Sequence, residues 1–235
     1  MKIVKLHASA STNEDLRVRF RESELPNLTT LFTHTQTLGK GQRGTRWESE
    51  AYKNLTFSIL ITDLTQFEES FSLNKFVSVA IVTWLQERLN VTAKIKWPND
   101  ILSVNRKLAG ILVETIFKGA KKDHAIIGIG INVNQMEFIQ APKAISLKHI
   151  IGNAQDLEML LESFLEHFER HYKKLESRDE LYLKHFYKLG KNVSFKINQE
   201  LVNATVCGVN KDGKLLLEHS AHLHAYDLKE VQWIY

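Results

Sequence analysis

The chain lacks most of the features that would settle its class at once. It has a single cysteine, Cys207, so no internal disulfide can form. That economy fits a reducing compartment. The opening stretch, MKIVKLHASASTNEDL, has no apolar core of the kind a secretory leader needs. No uncharged apolar run approaches the length that spans a bilayer. The expectation is therefore a cytoplasmic protein with no membrane partner. There is no internal repeat and no low-complexity tract. A Walker A loop is excluded, because no glycine run ends in Gly-Lys-Ser/Thr, and the glycine spacing does not fit a dinucleotide fingerprint. Charge of one sign is also scarce: 31 Lys and Arg against 27 Asp and Glu leave +4, with ten histidines besides. Such mild basicity suits an anionic ligand, or weakly a nucleic acid.

What is present is an ordinary globular composition in 235 residues, enough for one sizeable core or a main domain with a small companion. Ile3–His7 reads as a short strand. Ser11 and Glu14 have capping-box spacing at the head of a helix. TTLFTHT alternates like a strand, and Leu55–Thr62 reads as a buried one. Apolar residues at Leu73, Phe76, Val77, Ala80, Ile81, Trp84 and Leu85 predict a helix. A strand, a break at Pro98, a short strand, a turn at Asn105–Arg106 and a long strand follow. Ala125–Val133 is a further strand, and Asp156–Leu175 an amphipathic helix. After Gly190 the pattern changes to short strands, with Asn210–Gly213 as a tight turn. That divides the chain into 1–188 and a small β module, 189–235.

Chemistry concentrates in a few segments. GKGQRGTRW places Gly39, Gly41 and Gly44 among Lys40, Arg43 and Arg46 and closes on Trp47. Glycines permit close backbone approach, cations attract an anion, and the indole offers a flat face, so a ligand loop is expected. In KWPND, Pro98 pins the chain before Asn99 and Asp100. An aimed carboxylate and an ordinary strand-ending turn both fit that pattern. Lys107 enters an apolar strand, either snorkelling or reaching a buried anion. Gly110, and Gly128 with Gly130, leave bare patches beside Asn132, which suits a flat heterocycle or close sheet packing. His167 and His171 are four apart on a helix, a metal-friendly spacing, but no third ligand is evident. That pair and His222 with His224 are expected at the surface.

In their order, STN (Ser11–Asn13), QTLGKGQRGTRW (Gln36–Trp47), KWPNDI (Lys96–Ile101), KLAGIL (Lys107–Leu112) and GIGINVN (Gly128–Asn134) resemble the biotin–protein ligase family. VNKDGKLLLE extends the resemblance into its C-terminal SH3-like barrel. The likeness implies an α+β fold: a class II aminoacyl-tRNA-synthetase-like catalytic domain, a mixed sheet with helices, plus that small barrel. It implies activation of biotin by ATP with Mg²⁺ as biotinyl-5′-AMP, then transfer to a lysine of a biotin carboxyl carrier protein. Lys107, Asp100, Arg43 and Arg46 take the catalytic positions, with Asp100 also the metal position. Ser11, Thr12, Asn13, Gln36, Lys40, Gly41, Gln42, Lys107 and Gly110 take biotin-binding ones. Gly39, Gly44, Trp47, Asn99 and Asn132 take ATP-binding ones.

The family loop commonly reads Gly-Arg-Gly-Arg-x-Gly-Arg-x-Trp. Here Lys40, Gln42 and Thr45 stand at its arginines, and the cations Arg43 and Arg46 are displaced. Only ten residues precede the STN helix, so no DNA-binding helix-turn-helix and no specific DNA binding are expected. The expected assembly is a monomer or homodimer. A lipoate–protein ligase of the same fold would carry an Arg-Arg-x-Ser-Gly-Gly-Gly type run, and none is present. A non-catalytic nucleic-acid-binding module would need aromatics stacked among its cations, whereas the aromatics here sit mostly at core spacing.

Overall fold

The structure is a computed structural model. It describes residues 1–174 and 178–234, with the side chain of Arg43 outside that description. Seven strands form one mixed sheet in the order β1-β2-β3-β7-β6-β5-β4. They are β1 (Ile3–Ser9), β2 (Thr30–Gln36), β3 (Leu55–Ile61), β4 (Lys94–Lys96), β5 (Asp100–Ser103), β6 (Arg106–Lys118) and β7 (Lys121–Ile131). Only β1 and β2 run parallel; the other neighbours are antiparallel.

The sheet has two unlike faces, set by the period-2 alternation of its strands. Leu55, Phe57, Ile59 and Ile61 of β3, with Ile127, Ile129 and Ile131 of β7, enter the large core. Helices α2 (Ser72–Leu89) and α4 (Leu157–Tyr172) pack there. The opposite parity carries Leu60 and Ile126, which meet Leu16 of α1 (Thr12–Glu22) in a small second core. Ser58, Gly128 and Gly130 share that parity. The α1 face is thus thinly packed and polar, which leaves room for a site.

Five strands form a second, antiparallel sheet in the order β11-β10-β9-β8-β12. These are β8 (Asn192–Ile197), β9 (Glu200–Val209), β10 (Leu215–His219), β11 (His222–Tyr226) and β12 (Val231–Trp233). Its apolar residues, Phe195, Val206, Leu217 and Trp233 among them, are continuous with the large core. The Trp97 indole N–H donates to the Gly213 carbonyl at 2.8 Å, tying the KWPND segment to the β9–β10 turn.

Several sequence expectations are corrected. Ser11 is the N-cap of α1, but its side chain makes no capping bond. Glu14 is drawn instead to Lys40 at 2.8 Å and Arg17 at 2.7 Å, since two cations outcompete one backbone N–H. The β5–β6 turn falls at Val104–Asn105, both left-handed (φ 50° and 59°), one residue before the expected place. Strand β7 begins at Lys121, because a two-residue turn at Gly119 and Ala120 lets it pair with β6 from its start. Helix α4 ends at Tyr172, and Leu175, the expected end, lies outside the described residues. The short α3 (Leu147–Ile151), α5 (Arg178–Lys184) and β11 carry too few residues for a readable period. Among the described residues no helix is long and apolar enough to cross a membrane.

Candidate active site

A cavity of about 260 Å³ opens on the α1 face, roofed by the glycine segment. That segment is an ordered hairpin rather than an open loop. Lys40 and Arg46 form an antiparallel bridge. Gly41 N–H donates to Thr45 O at 2.7 Å, and Trp47 N–H to Gly39 O at 2.9 Å. These two N–H groups close the hairpin. The tip is a 3-10 turn, Gln42–Gly44, with Gly44 at φ 75°. A Cβ at Gly41 would meet Thr45 Oγ1 at 2.4 Å, so a larger residue there would displace the Thr45 side chain.

The hairpin drops Trp47 into a notch that two strands prepare. Gly110 of β6 and Gly130 of β7 are directly paired. A Cβ at Gly130 would lie 2.3 Å from the indole Cε2, and one at Gly110 3.0 Å from Cζ3. Gly128 plays the same part for Asn13, whose Oδ1 would lie 2.5 Å from an added Cβ. The bare strip is therefore filled by Trp47 and Asn13.

The far end of the cavity is a polar network on buried and half-buried residues. Gln36 Oε1 accepts from Thr12 N–H at 3.0 Å and from Thr12 Oγ1 at 3.2 Å. Ser58 Oγ lies 2.7 Å from Thr12 Oγ1 and 2.6 Å from Asn13 Oδ1. The Asn13 amide donates to Glu114 at 2.7 Å, and Arg17 pairs with Glu114 at 3.0 Å. Ser11 lines the cavity beside them.

At the other end, Lys107 Nζ sits 2.6 Å from Asp100 Oδ1 and 5.6 Å from the centre of the Trp47 ring. The Asp100–Gly110 pairing of β5 and β6 brings the carboxylate to the lysine. Asn99 holds the KWPND turn on β6, donating from its amide to Ile111 O at 2.7 Å; the Trp97–Pro98 peptide is cis. Burial pushes the nearby Lys96 ammonium below its ordinary value. Asp100 opposes that shift, while Lys107 and Lys143 add to it.

Lys40, Gly41, Gln42 and Arg46 also line the cavity, although the Lys40 ammonium points to Glu14. Gly39 and Gly44 shape the hairpin from outside the lining, and the Arg43 side chain lies outside the described residues. Asn132 is beneath the site rather than in its wall. Its amide donates to Lys107 O at 3.2 Å and Ile145 O at 3.1 Å. Gln42 Oε1, Trp47 Nε1 and Asn132 Oδ1 are buried without a protein partner. Leu228 and the buried Ser58 have no part in the sequence reading of the site: Ser58 is unremarkable in sequence, and Leu228 comes from the C-terminal module, so only folding reveals them.

His167 is not a surface residue: it is fully buried on α4, whereas His222 is exposed as expected.

Residues 7–132 match the model of the Biotin/lipoate A/B protein ligase family. The chain is 27% identical over 221 residues to the "Bifunctional ligase/repressor BirA" of Bacillus subtilis (strain 168), covering 90% of this chain and 68% of that protein. It is also 27% identical to the "Biotin--[acetyl-CoA-carboxylase] ligase" of Mycobacterium tuberculosis, covering 68% of this chain and 60% of that one. The chain thus spans about two thirds of these relatives' length. Among solved structures, the biotin protein ligase of Aquifex aeolicus in complex with biotin and ATP superposes with a TM-score of 0.80 at 26% identity, covering 98% of this chain and 97% of that one.

Proposed function

The chain belongs to the biotin/lipoate A/B protein ligase family, and from that premise we infer that it is an ATP-dependent biotin–protein ligase. One observation carries the reading: a hairpin closes an indole over a paired-glycine notch, between a buried hydrogen-bonding end and a Lys–Asp end. The polar end also favours biotin over lipoate. Thr12, Asn13, Gln36 and Ser58 can exchange hydrogen bonds with a ureido ring. A dithiolane carries no N–H or carbonyl to exchange with them.

In the first step a carboxylate oxygen of biotin attacks the α-phosphorus of ATP. The bond to the bridging oxygen breaks, and pyrophosphate leaves. Two anions must meet, and in this reading Lys107 is the cation that touches both. Its present partner is Asp100, so the substrate carboxylate competes with Asp100 for the ammonium. In the second step the ε-amine of a carrier lysine attacks the acyl carbon, an amide forms and AMP leaves. We propose a carboxylase carrier domain as the acceptor. The hairpin keeps water from the mixed anhydride. Gln42 Oε1 and Trp47 Nε1 are left as acceptor and donor for the bound intermediate, while Asn132 Oδ1 keeps a free acceptor beneath the site.

Asp100 is the one carboxylate among the lining residues. Mg²⁺ carried on nucleotide phosphates typically takes one or two protein carboxylates, so a single aspartate fits it. The ion would offset phosphate charge. Incubation with MgATP, biotin and a biotin carrier domain, followed by mass spectrometry, tests the reading. Biotinyl-5′-AMP and a singly biotinylated carrier are expected. Activation of lipoate without biotin would refute it.

A further inference from the structure

On the opposite face of the sheet from the cavity, α2 and α4 bring Glu87, His167 and His171 together. Each offers a ligand atom, and these lie within 4.8 Å of one another. The hydrogen-bond partners point to one tautomer for each histidine. Thr83 Oγ1 donates to Val79 O at 2.8 Å, so it accepts from His167 Nε2 at 2.9 Å. The proton of His167 is therefore on Nε2, and Nδ1 carries a bare lone pair. That Nδ1 is buried without a hydrogen-bond partner, in a side chain with 0% exposure. His171 Nδ1 lies 2.9 Å from His167 O, which can only accept, so Nδ1 is engaged and Nε2 is the atom left for a ligand.

The buried Nδ1 faces Glu87 Oε2 at 3.5 Å. Two electron-rich atoms at that separation can share a cation, and a metal needs the bare lone pair that Nδ1 presents. Zinc binds His nitrogen and Glu oxygen at about 2.0–2.2 Å, which puts two ligands roughly 3.3 Å apart in a tetrahedral site. The observed 3.5 Å is close to that. Arg88 and Arg170 oppose any cation, while the Glu87 carboxylate supplies the compensating charge. Glu87 is exposed and His171 half-buried, so both can close on an ion while His167 stays fixed.

We propose that Glu87, His167 and His171 bind one divalent ion of the zinc class, with water completing the tetrahedron, and that the ion ties α4 to α2. The full chain, stripped with EDTA, is titrated with ZnCl2 by calorimetry, and its melting temperature is followed in parallel. One equivalent is expected to bind and raise the melting temperature. His171→Ala and Glu87→Gln, both outside the buried core, should each weaken that binding by more than about tenfold while the metal-free proteins melt normally. His167→Ala removes a buried side chain and can fail to fold, so the two outer substitutions decide. Absence of a bound equivalent overturns the proposal, and so does an affinity that either substitution leaves unchanged.

Discussion

The tightest contact in the site gives the sharpest prediction. Gly130→Ala adds one methyl group to a strand position whose backbone any residue can adopt. The new carbon would lie 2.3 Å from Cε2 and 2.7 Å from Cζ2 and Nε1 of Trp47. Carbon–carbon contacts are comfortable at about 3.5–4.0 Å, so a separation of roughly 1.2–1.7 Å must be made up. Strand β7 cannot yield it, because Gly130 is paired on both sides, to Thr56 of β3 and to Gly110 of β6. The indole yields, and the hairpin lifts with it. Overpacking of this kind costs about 1–3 kcal/mol. The low end is expected here, since the ring withdraws into a cavity rather than into packed core. The functional effect is larger. A roof displaced by more than about 1 Å can lower a rate on the order of 100-fold, and water then reaches the anhydride. Adenylate formation and escape, by rapid quench and rapid filtration, should show a large loss of retention beside a fall of a few degrees in melting temperature. The diagnostic is the double substitution. With Trp47→Ala in place the clash partner is gone, so Gly130→Ala should then change neither quantity further. If Gly130→Ala is equally damaging with and without Trp47, the notch is not what the glycine is for.

Three further outcomes follow from the same geometry. Lys107→Ala should slow adenylate formation by roughly 10- to 100-fold, the worth of one charge-assisted contact of about 1.5–3 kcal/mol, with an unchanged circular-dichroism melt; wild-type turnover would remove Lys107 from the site. Gln42→Ala should speed adenylate release only several-fold, because a neutral hydrogen bond contributes about 0.5–1.5 kcal/mol. Arg46→Ala or Arg43→Ala should speed it more, and stopped-flow release showing the reverse order would refute the displaced-cation reading. Trp97→Phe deletes the 2.8 Å bond to Gly213 O, so urea denaturation should show a loss of at least about 1 kcal/mol, and hydrogen exchange should quicken first in the 210–213 turn.

Much of the site was legible because its chemistry is local in sequence. The hairpin glycines and cations form a run that no ordinary strand or helix favours, while Lys107, Asp100 and the polar residues around Thr12 sit in strand, turn and helix-start patterns that only their order along the chain makes telling. What was not legible depends on register. Nothing in KLAGIL or GIGIN says that Gly110 faces Gly130, yet that pairing makes the indole notch. Nothing in KWPND says that Asp100 turns onto Lys107, since the contact needs the β5–β6 ladder. The C-terminal module is marked by its change of pattern, but nothing in that pattern says that its apolar residues join the common core or that Leu228 helps to wall the cavity.

His167 is a different case, because a signal was available. Leu160, Phe164, His167 and His171 follow one another at spacings of four, three and four, so both histidines lie on the apolar stripe of α4 rather than on its solvent face. A polar ring on such a stripe must find partners for both nitrogens or leave one bare. Thr83 serves Nε2, and no protein group serves Nδ1. The third ligand, Glu87, comes from a helix about eighty residues away, whose own pattern shows no ligand spacing. Periodicity could place His167 in the interior, but only the packing of α4 on α2 shows what its free nitrogen faces.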